Sequence, residues 1–363
     1  MASESKSVIC FFNSCKAWGG GEKWHLEMAS RLFAEGYRVM VCASPKGRLF
    51  QRAMSAGIPV FPFEIGNLSF LNIFLRKRIE KFFRKNQVEH VILNLPSDLK
   101  CAGVAAKNAG VPDIVYRRGS AIAIKNSRYN RLLFKNIVHR VIANSEETKR
   151  TILAHNNRLI AAEKIFVIHN GIDLQRFDAQ EVDLKAHSEK SVVIGNLGRL
   201  EPQKNQMFLL RVLQLVRKQG VNAVLRIGGA GRLEADLRAE VQRLGLSKYV
   251  ELTGFVDDVK SFMAQLDIFA LSSLWEGFGY VLVEAQALSK PVVAFRVSSN
   301  PEVVTDGGIL VPTGDERAFA DAIVYLSSHQ KEAQQMGNAG RRFVASHFDI
   351  DRTTQKLIGF IEQ

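Results

Sequence analysis

Residues 276–284 read EGFGYVLVE, directly after an apolar run at 267–271 (DIFAL) and the short loop SSLW. A strand, a glycine-containing turn and an amphipathic stretch in that order describe one half of a βαβ unit. The Gly-Phe-Gly turn offers backbone N–H groups at the positive end of the following helix dipole. Glu276 falls just before the helix start, and its spacing places Glu284 about two turns into it. A carboxylate beside such a turn suits a polyol, because it accepts hydrogen bonds from hydroxyls in pairs. Each such charge-assisted bond is worth about 1.5–3 kcal/mol.

Working outward, the same rhythm fills the chain. Upstream and downstream of the turn, strand patterns fall near 191–197, 223–228, 250–254, 267–271, 291–295 and 309–311. Helix patterns at 206–218, 233–244 and 280–288 lie between them. The first half repeats the scheme, with strands near 7–14, 38–43, 58–63, 88–95, 113–118, 140–144 and 165–169. Helix patterns there include 22–35, 70–85 and 128–139. Several strands are continuous apolar runs (VICFF, VMVCA, VILNL), as expected when both faces of a sheet are covered. The polar stretch 174–190 carries no strand pattern and reads as a linker. The expectation is an α/β chain of two Rossmann-like doubly wound parallel-sheet domains, which bind ligands at the carboxyl ends of their strands.

Bulk properties agree. A chain of 363 residues accommodates about two domains. An apolar fraction of 47% and a charged fraction of 23% exclude collagenous and wholly disordered chains. No apolar run reaches the roughly 18 residues of a membrane-spanning helix. The start, MASESKSVICFFNS, lacks the pattern of a secretory signal. Cys10, Cys15, Cys42 and Cys101 form no CxxC pair and read as reduced thiols of a cytoplasmic protein.

The charge is uneven. Residues 1–180 hold 28 Lys+Arg against 14 Asp+Glu, a surplus of +14, while the rest of the chain is at −1. Such asymmetry points the first half at an acidic partner. The stretch 70–85 (FLNIFLRKRIEKFFRK) combines Leu, Ile and Phe with Arg76, Lys77, Arg78, Lys81, Arg84 and Lys85. It reads equally as a helix lying on an anionic membrane and as an ordinary covering helix with a solvated basic face.

Two further turns carry candidate chemistry. In Gly198-Arg199-Leu200-Glu201-Pro202-Gln203-Lys204-Asn205, the planar fork of Arg199 and the point charge of Lys204 can converge on one anion. In Trp18-Gly19-Gly20-Gly21-Glu22, glycines open the first helix and permit close backbone approach to a phosphate. This is not GxGxxG, and no acidic residue ends the second strand, so a nicotinamide-dinucleotide site is weakly supported. Asp349-Ile350-Asp351 spells DxD but sits in a helical tail, and no metal site is expected there.

Together EGFGYVLVEA, GRLEPQKN and GGGEKWHLEMASRLFAEGYRV resemble glycosyltransferase family 4. VIANSEETK, VIHNGIDLQRF, GGAGRLEADL, LTGFVDDV and LVPTGD extend the resemblance in order along the chain. It implies a GT-B fold with an interdomain cleft. The domains would be 1–175, an acceptor-binding unit joined by a tail at 347–363, and 185–346, the nucleotide-sugar-binding unit. It implies retaining transfer from a UDP, GDP or ADP sugar without a metal cofactor. By position, Arg199 and Lys204 would hold the donor diphosphate. Glu276 would bind sugar hydroxyls beside Gly277, Phe278 and Gly279, and Glu284 would bind the ribose. Gly19 and Gly20 would approach the phosphate, and Phe255 and Val256 would meet the base. Where many relatives carry a His at the end of the strand near 113–118, this chain has Tyr116-Arg117-Arg118, so Arg117 or Arg118 takes its place as a candidate. In GGAGRL, Ala230 stands where relatives often have an acid.

Combined with the basic first half, this predicts an anionic glycan or glycolipid acceptor, of lipopolysaccharide-core or other envelope type. It also predicts a cytoplasmic enzyme peripheral to the inner face of the membrane. The competing readings are a GT-B-like nucleotide-sugar epimerase and a basic nucleic-acid-binding protein. No nucleic-acid module is recognised, which disfavours the latter.

Overall fold

The computed structural model describes residues 6–177 and 191–363. Two compact units divide the chain, one formed by Met1–Gly171 with Thr353–Gln363, the other by Ile172–Arg352. Each is built around its own parallel sheet.

The first sheet contains β1 (Val8–Asn13), β2 (Arg38–Ala43), β3 (Val60–Pro62), β4 (His90–Leu93), β5 (Asp113–Arg118), β6 (Arg140–Ala143) and β7 (Ile165–Val167). Their order is β3-β2-β1-β4-β5-β6-β7. The second sheet holds β8 (Val192–Leu197), β9 (Ala223–Gly228), β10 (Val250–Gly254), β11 (Ile268–Leu271), β12 (Val292–Phe295) and β13 (Gly308–Val311), in the order β10-β9-β8-β11-β12-β13. In both, the order reverses beside the first strand, between β1 and β4 and between β8 and β11. The loops leaving these strands diverge there, and an open α/β sheet forms its ligand crevice at such a point.

The apolar runs do what a doubly covered sheet demands. Every residue of β1, β11 and β12 is buried. The chain end closes on the first unit: the Arg140 guanidinium stacks on the Phe360 ring at 3.9 Å and also bonds both carboxylate oxygens of Asp113. Tyr37 donates to Glu362 at 2.5 Å, and the Phe166 and Phe360 rings meet at 4.9 Å.

Several helix ends differ from the pattern. The stretch 70–85 is a helix only over Ile73–Lys85, preceded by a tight turn at Ser69–Leu71. Asn72 is the reason, because its side chain accepts from the Leu75 N–H and caps the helix three residues late. The third helix pattern of the first half stops at Asn136 rather than 139. Of the linker reading, 174–177 form a short turn and 178–190 lie outside the described residues. All four cysteines are free, three of them buried.

Candidate functional site

The crevice end of the second unit is assembled by two loops, 198–205 after β8 and 272–279 after β11. Pro202–Lys204 forms one turn of tight helix, Asn205 takes a left-handed conformation (φ 51°), and the helix Gln206–Lys218 follows. The second loop fastens this turn. Ser272 Oγ donates to the carbonyls of Lys204 and Asn205 at 3.0 and 2.9 Å. Gln203 Nε2 donates to the Trp275 carbonyl at 2.7 Å, and the Leu274 N–H donates to the Gln203 carbonyl at 2.9 Å.

The outcome is that Lys204 Nζ lies 2.5 Å from Glu276 Oε1, with both side chains largely buried. Two residues 72 positions apart thus form one ion pair. Removing either partner would leave the other uncompensated, costing about 3 kcal/mol or more. Arg199, by contrast, is exposed, and among the described residues no side-chain partner engages its guanidinium. One cation is therefore already held by Glu276, and the other stands in solvent.

Gly277, Phe278 and Gly279 form the turn before the helix Tyr280–Ala287, with Gly279 as its N-cap at φ 74°. Phe278 anchors the turn by packing edge-on against Tyr280 and Phe348 at 5.7 and 5.1 Å. Ser299 Oγ donates to the Glu276 carbonyl at 3.3 Å. Glu284 is buried and lies one turn into this helix, not two; the longer estimate counted from Glu276, four residues before the helix begins.

The loop 228–231 packs directly on the first loop. A Cβ on Gly229, at φ 137°, would fall 1.8 Å from the Gly198 carbonyl oxygen, so no other residue fits. After β10, Phe255 is exposed, while Val256 is half-buried against Gly228.

In the first unit, Gly19 caps the helix Gly20–Ala34, and Gly20 and Gly21 open it. Glu22 in its first turn accepts from Asn13 Nδ2 at 3.0 Å. The anion-favouring helix end thus already faces a carboxylate of its own chain. A Cβ on Gly21 would lie 2.8 Å from Asn94 Nδ2. Arg117, only 1% exposed, donates to Asn94 at 3.0 Å and Asn170 at 2.9 Å, and its guanidinium covers the Trp24 ring at 4.5 Å. Arg117 is therefore buried rather than solvated, in a strand of which all residues but the last are buried. Arg118 Nη2 donates to the Ile122 carbonyl at 2.7 Å.

His25 is fully buried, and burial together with nearby Arg117 lowers its pKa to about 3. Asp98 is also fully buried, and burial pushes its carboxyl up to about 7 against the bonds it accepts from Ser14. Ser14 Oγ lies 2.5 Å from Asp98 Oδ1.

Asp98, Asn94, Asn170, Ser272 and Gln203 were not singled out by the sequence reading. Their contacts span 23 to 84 positions, and such bonds leave no periodic trace. Among the described residues, no group of three or more His, Cys, Asp or Glu side chains is placed to hold a metal ion.

Two parallel sheets of seven and six strands, each reversing its order beside its first strand, define a GT-B fold. The model for Glycosyltransferase Family 4 matches residues 18–176, and that for Glycosyl transferases group 1 matches 179–343. The chain belongs to this family of glycosyltransferases. It is 28% identical over 274 residues to the UDP-Gal:alpha-D-GlcNAc-diphosphoundecaprenol alpha-1,3-galactosyltransferase of Escherichia coli, spanning 70% of each chain. It is 30% identical over 228 residues to the capsular polysaccharide biosynthesis glycosyltransferase CapM of Staphylococcus aureus, which it matches over only 60% of that protein's length. In fold it is similar to Anabaena HepE solved with UDP and glucose, with a TM-score of 0.87 at 22% identity over 98% of this chain and 100% of that one.

Proposed function

We propose that this protein is a retaining glycosyltransferase that moves a sugar from a nucleotide-diphospho-sugar to an anionic glycan or glycolipid of the cell envelope, such as a lipopolysaccharide core. The observation that carries the reading is the Lys204–Glu276 pair, which sets a phosphate-type cation and a hydroxyl-binding carboxylate side by side at a sheet's order reversal.

In this reading Arg199 and Lys204 neutralise the leaving diphosphate. Charge developing on phosphate oxygens is worth most where preformed donors meet it. Glu276 holds the sugar hydroxyls beside the N–H groups of Phe278 and Gly279, and Glu284 holds the ribose. Phe255 and Val256 face the base, and Gly19 and Gly20 give close backbone approach. Arg117 and Arg118 take the strand-end place that a His holds in relatives. The departing phosphate accepts the acceptor proton in a front-side attack, and the two cations stand in for a metal.

The relatives' names support the class of acceptor, since the E. coli enzyme acts on a diphosphoundecaprenol-linked sugar and the S. aureus protein serves capsule synthesis. The first 180 residues, at +14, supply the field for such an acceptor and for peripheral binding at the inner membrane face. A thermal-shift screen against UDP, GDP, ADP and their sugars tests the reading. A nucleotide sugar that raises the melting temperature and is consumed when envelope glycolipid extract is added supports it. No shift with any of them, in a folded preparation, refutes it.

A further inference from the structure

Most of the large apolar side chains that the first unit exposes lie on two segments, apart from Phe33 and Met54 on the helices Gly20–Ala34 and Arg48–Ser55. Leu68, Leu71, Ile73 and Phe74, around the turn Ser69–Leu71 and the start of the helix Ile73–Lys85, are all half or more exposed, Phe74 at 89%. Ile122 and Leu132, beside and within the helix Arg128–Asn136, are exposed to a similar degree. The two segments meet through the Phe70 and Tyr129 rings, 5.8 Å apart, and Lys100 Nζ sits 5.7 Å from the Tyr129 ring. The second unit exposes only Phe255, Leu274 and Tyr325 among its described large apolar residues.

The flanking charge is of one sign. Residues 65–79 and 119–139 contain no Asp or Glu. The exposed cations Lys77, Arg78, Lys125, Arg128, Arg131 and Lys135 lie on the same two segments. Contiguous exposed apolar surface marks an interaction site, and here its rim is cationic.

We infer that this paired tip is a membrane-insertion surface, in which Leu71, Ile73 and Phe74 with Ile122 and Leu132 enter the acyl boundary of an anionic leaflet. The cations around them would meet the lipid phosphates. Apolar side chains inside a basic ring match an anionic bilayer in layers, hydrocarbon against hydrocarbon and cation against headgroup. A second copy of the chain fits poorly, because two such rims would bring like charges together. The proposal rests on the membrane-linked acceptor of the proposed function. It differs from adhesion by the basic helix alone, which Lys77 and Arg84 serve less well because both pair with Glu80 at 3.1 and 3.0 Å. Adhesion by charge alone would vanish in salt, whereas insertion leaves a salt-resistant component.

The test is co-sedimentation of the full chain with phosphatidylcholine vesicles, with and without phosphatidylglycerol, at low and high salt. UDP, GDP and ADP titrations are run in parallel on the same preparations. Wild type is expected on the anionic vesicles, with part of it retained in high salt. Ile73→Ser/Phe74→Ser is expected to lose that retained part about tenfold, consistent with two exposed side chains no longer buried. Arg128→Gln/Arg131→Gln is expected to lower recovery at low salt. Phe74→Trp is expected to shift its emission to the blue on anionic vesicles, in a protein that keeps the tip apolar. Equal retention by wild type and the serine variant, or an unshifted tryptophan, overturns the insertion surface. So does wild-type self-association that the serine variant abolishes without any vesicle binding. Loss of these effects with nucleotide binding intact sinks the surface alone, whereas no nucleotide binding sinks the glycosyltransferase reading beneath it.

Discussion

The two units share a sheet design and differ in how they treat charge. In the second, near-neutral unit, the cation Lys204 is held by Glu276, and the turn that carries it is fixed by four hydrogen bonds between loops. In the first, basic unit, one cation is buried among amides and an indole, as Arg117 is. Many others stand on an acid-free, partly apolar surface. Similar folds thus carry charge in two ways: one presents a few charges at fixed positions, the other a field. A preorganised pair suits a small ligand with defined phosphate and hydroxyl positions. A diffuse field suits a large anionic partner.

The contrast breaks most visibly at Glu276. Glu276→Ala is expected to reduce sugar transfer about 100- to 1,000-fold, the range seen when one preorganised group at a reacting centre is removed. Free nucleotide diphosphate should still bind. Steady-state transfer beside calorimetry separates the two. Equal loss of both would mean that the carboxylate holds the site together rather than the sugar.

Arg199→Ala tests the exposed cation. It should weaken nucleotide diphosphate binding about tenfold without lowering the melting temperature, because a charge-assisted bond is worth about 1.5–3 kcal/mol and the side chain supports no neighbour. The milder Glu276→Gln sharpens the same point. With Lys204 no longer held by a carboxylate, free nucleotide diphosphate should bind about fivefold tighter, roughly 1 kcal/mol. Weaker binding would show that the pair does not compete with the ligand.

The buried groups of the first unit give a pH prediction. Asp98 titrates near 7 in the folded chain and near 3.8 when unfolded, so its contribution is present at low pH and is lost as pH rises from about 4 to 7. His25 works in the opposite direction, since its lowered folded pKa makes stability fall as pH drops from about 6.5 toward 3. Asp98→Asn, which mimics the protonated acid, should raise the melting temperature by about 3 °C at pH 8 and leave it nearly unchanged at pH 4. Equal shifts at both pH values would contradict the assignment. Smallest of all, EDTA should leave transfer unchanged, because the proposed diphosphate ligands are Arg199 and Lys204. Loss restored by magnesium or manganese would overturn that role.

Much of the fold was legible because parallel strands buried on both faces must be apolar runs, as VICFF and VILNL are. The helix beginning at Ile73 was misplaced by three residues because one cap, Asn72, outweighed the pattern. The Arg199–Lys204 turn and the EGFG turn were legible as separate motifs. Their joining was not, because Ser272 and Gln203 act through backbone carbonyls of a distant loop. The burial of Arg117 was not legible, because no local pattern shows that Asn94, Asn170 and Trp24 converge on it. Phe74 resembles a core residue in the amphipathic repeat, and only the fold reveals that nothing covers it.

The central claim is that the pair of loops in the second unit holds a nucleotide diphosphate through Lys204. Calorimetric titration of wild type and Lys204→Ala with UDP, GDP and ADP, well below the lowered melting temperature of the variant, tests it most directly. At least one nucleotide should bind wild type and lose about tenfold or more in affinity to the variant. Binding of that nucleotide at undiminished affinity to Lys204→Ala, or no binding of any of the three to wild type, would contradict the account.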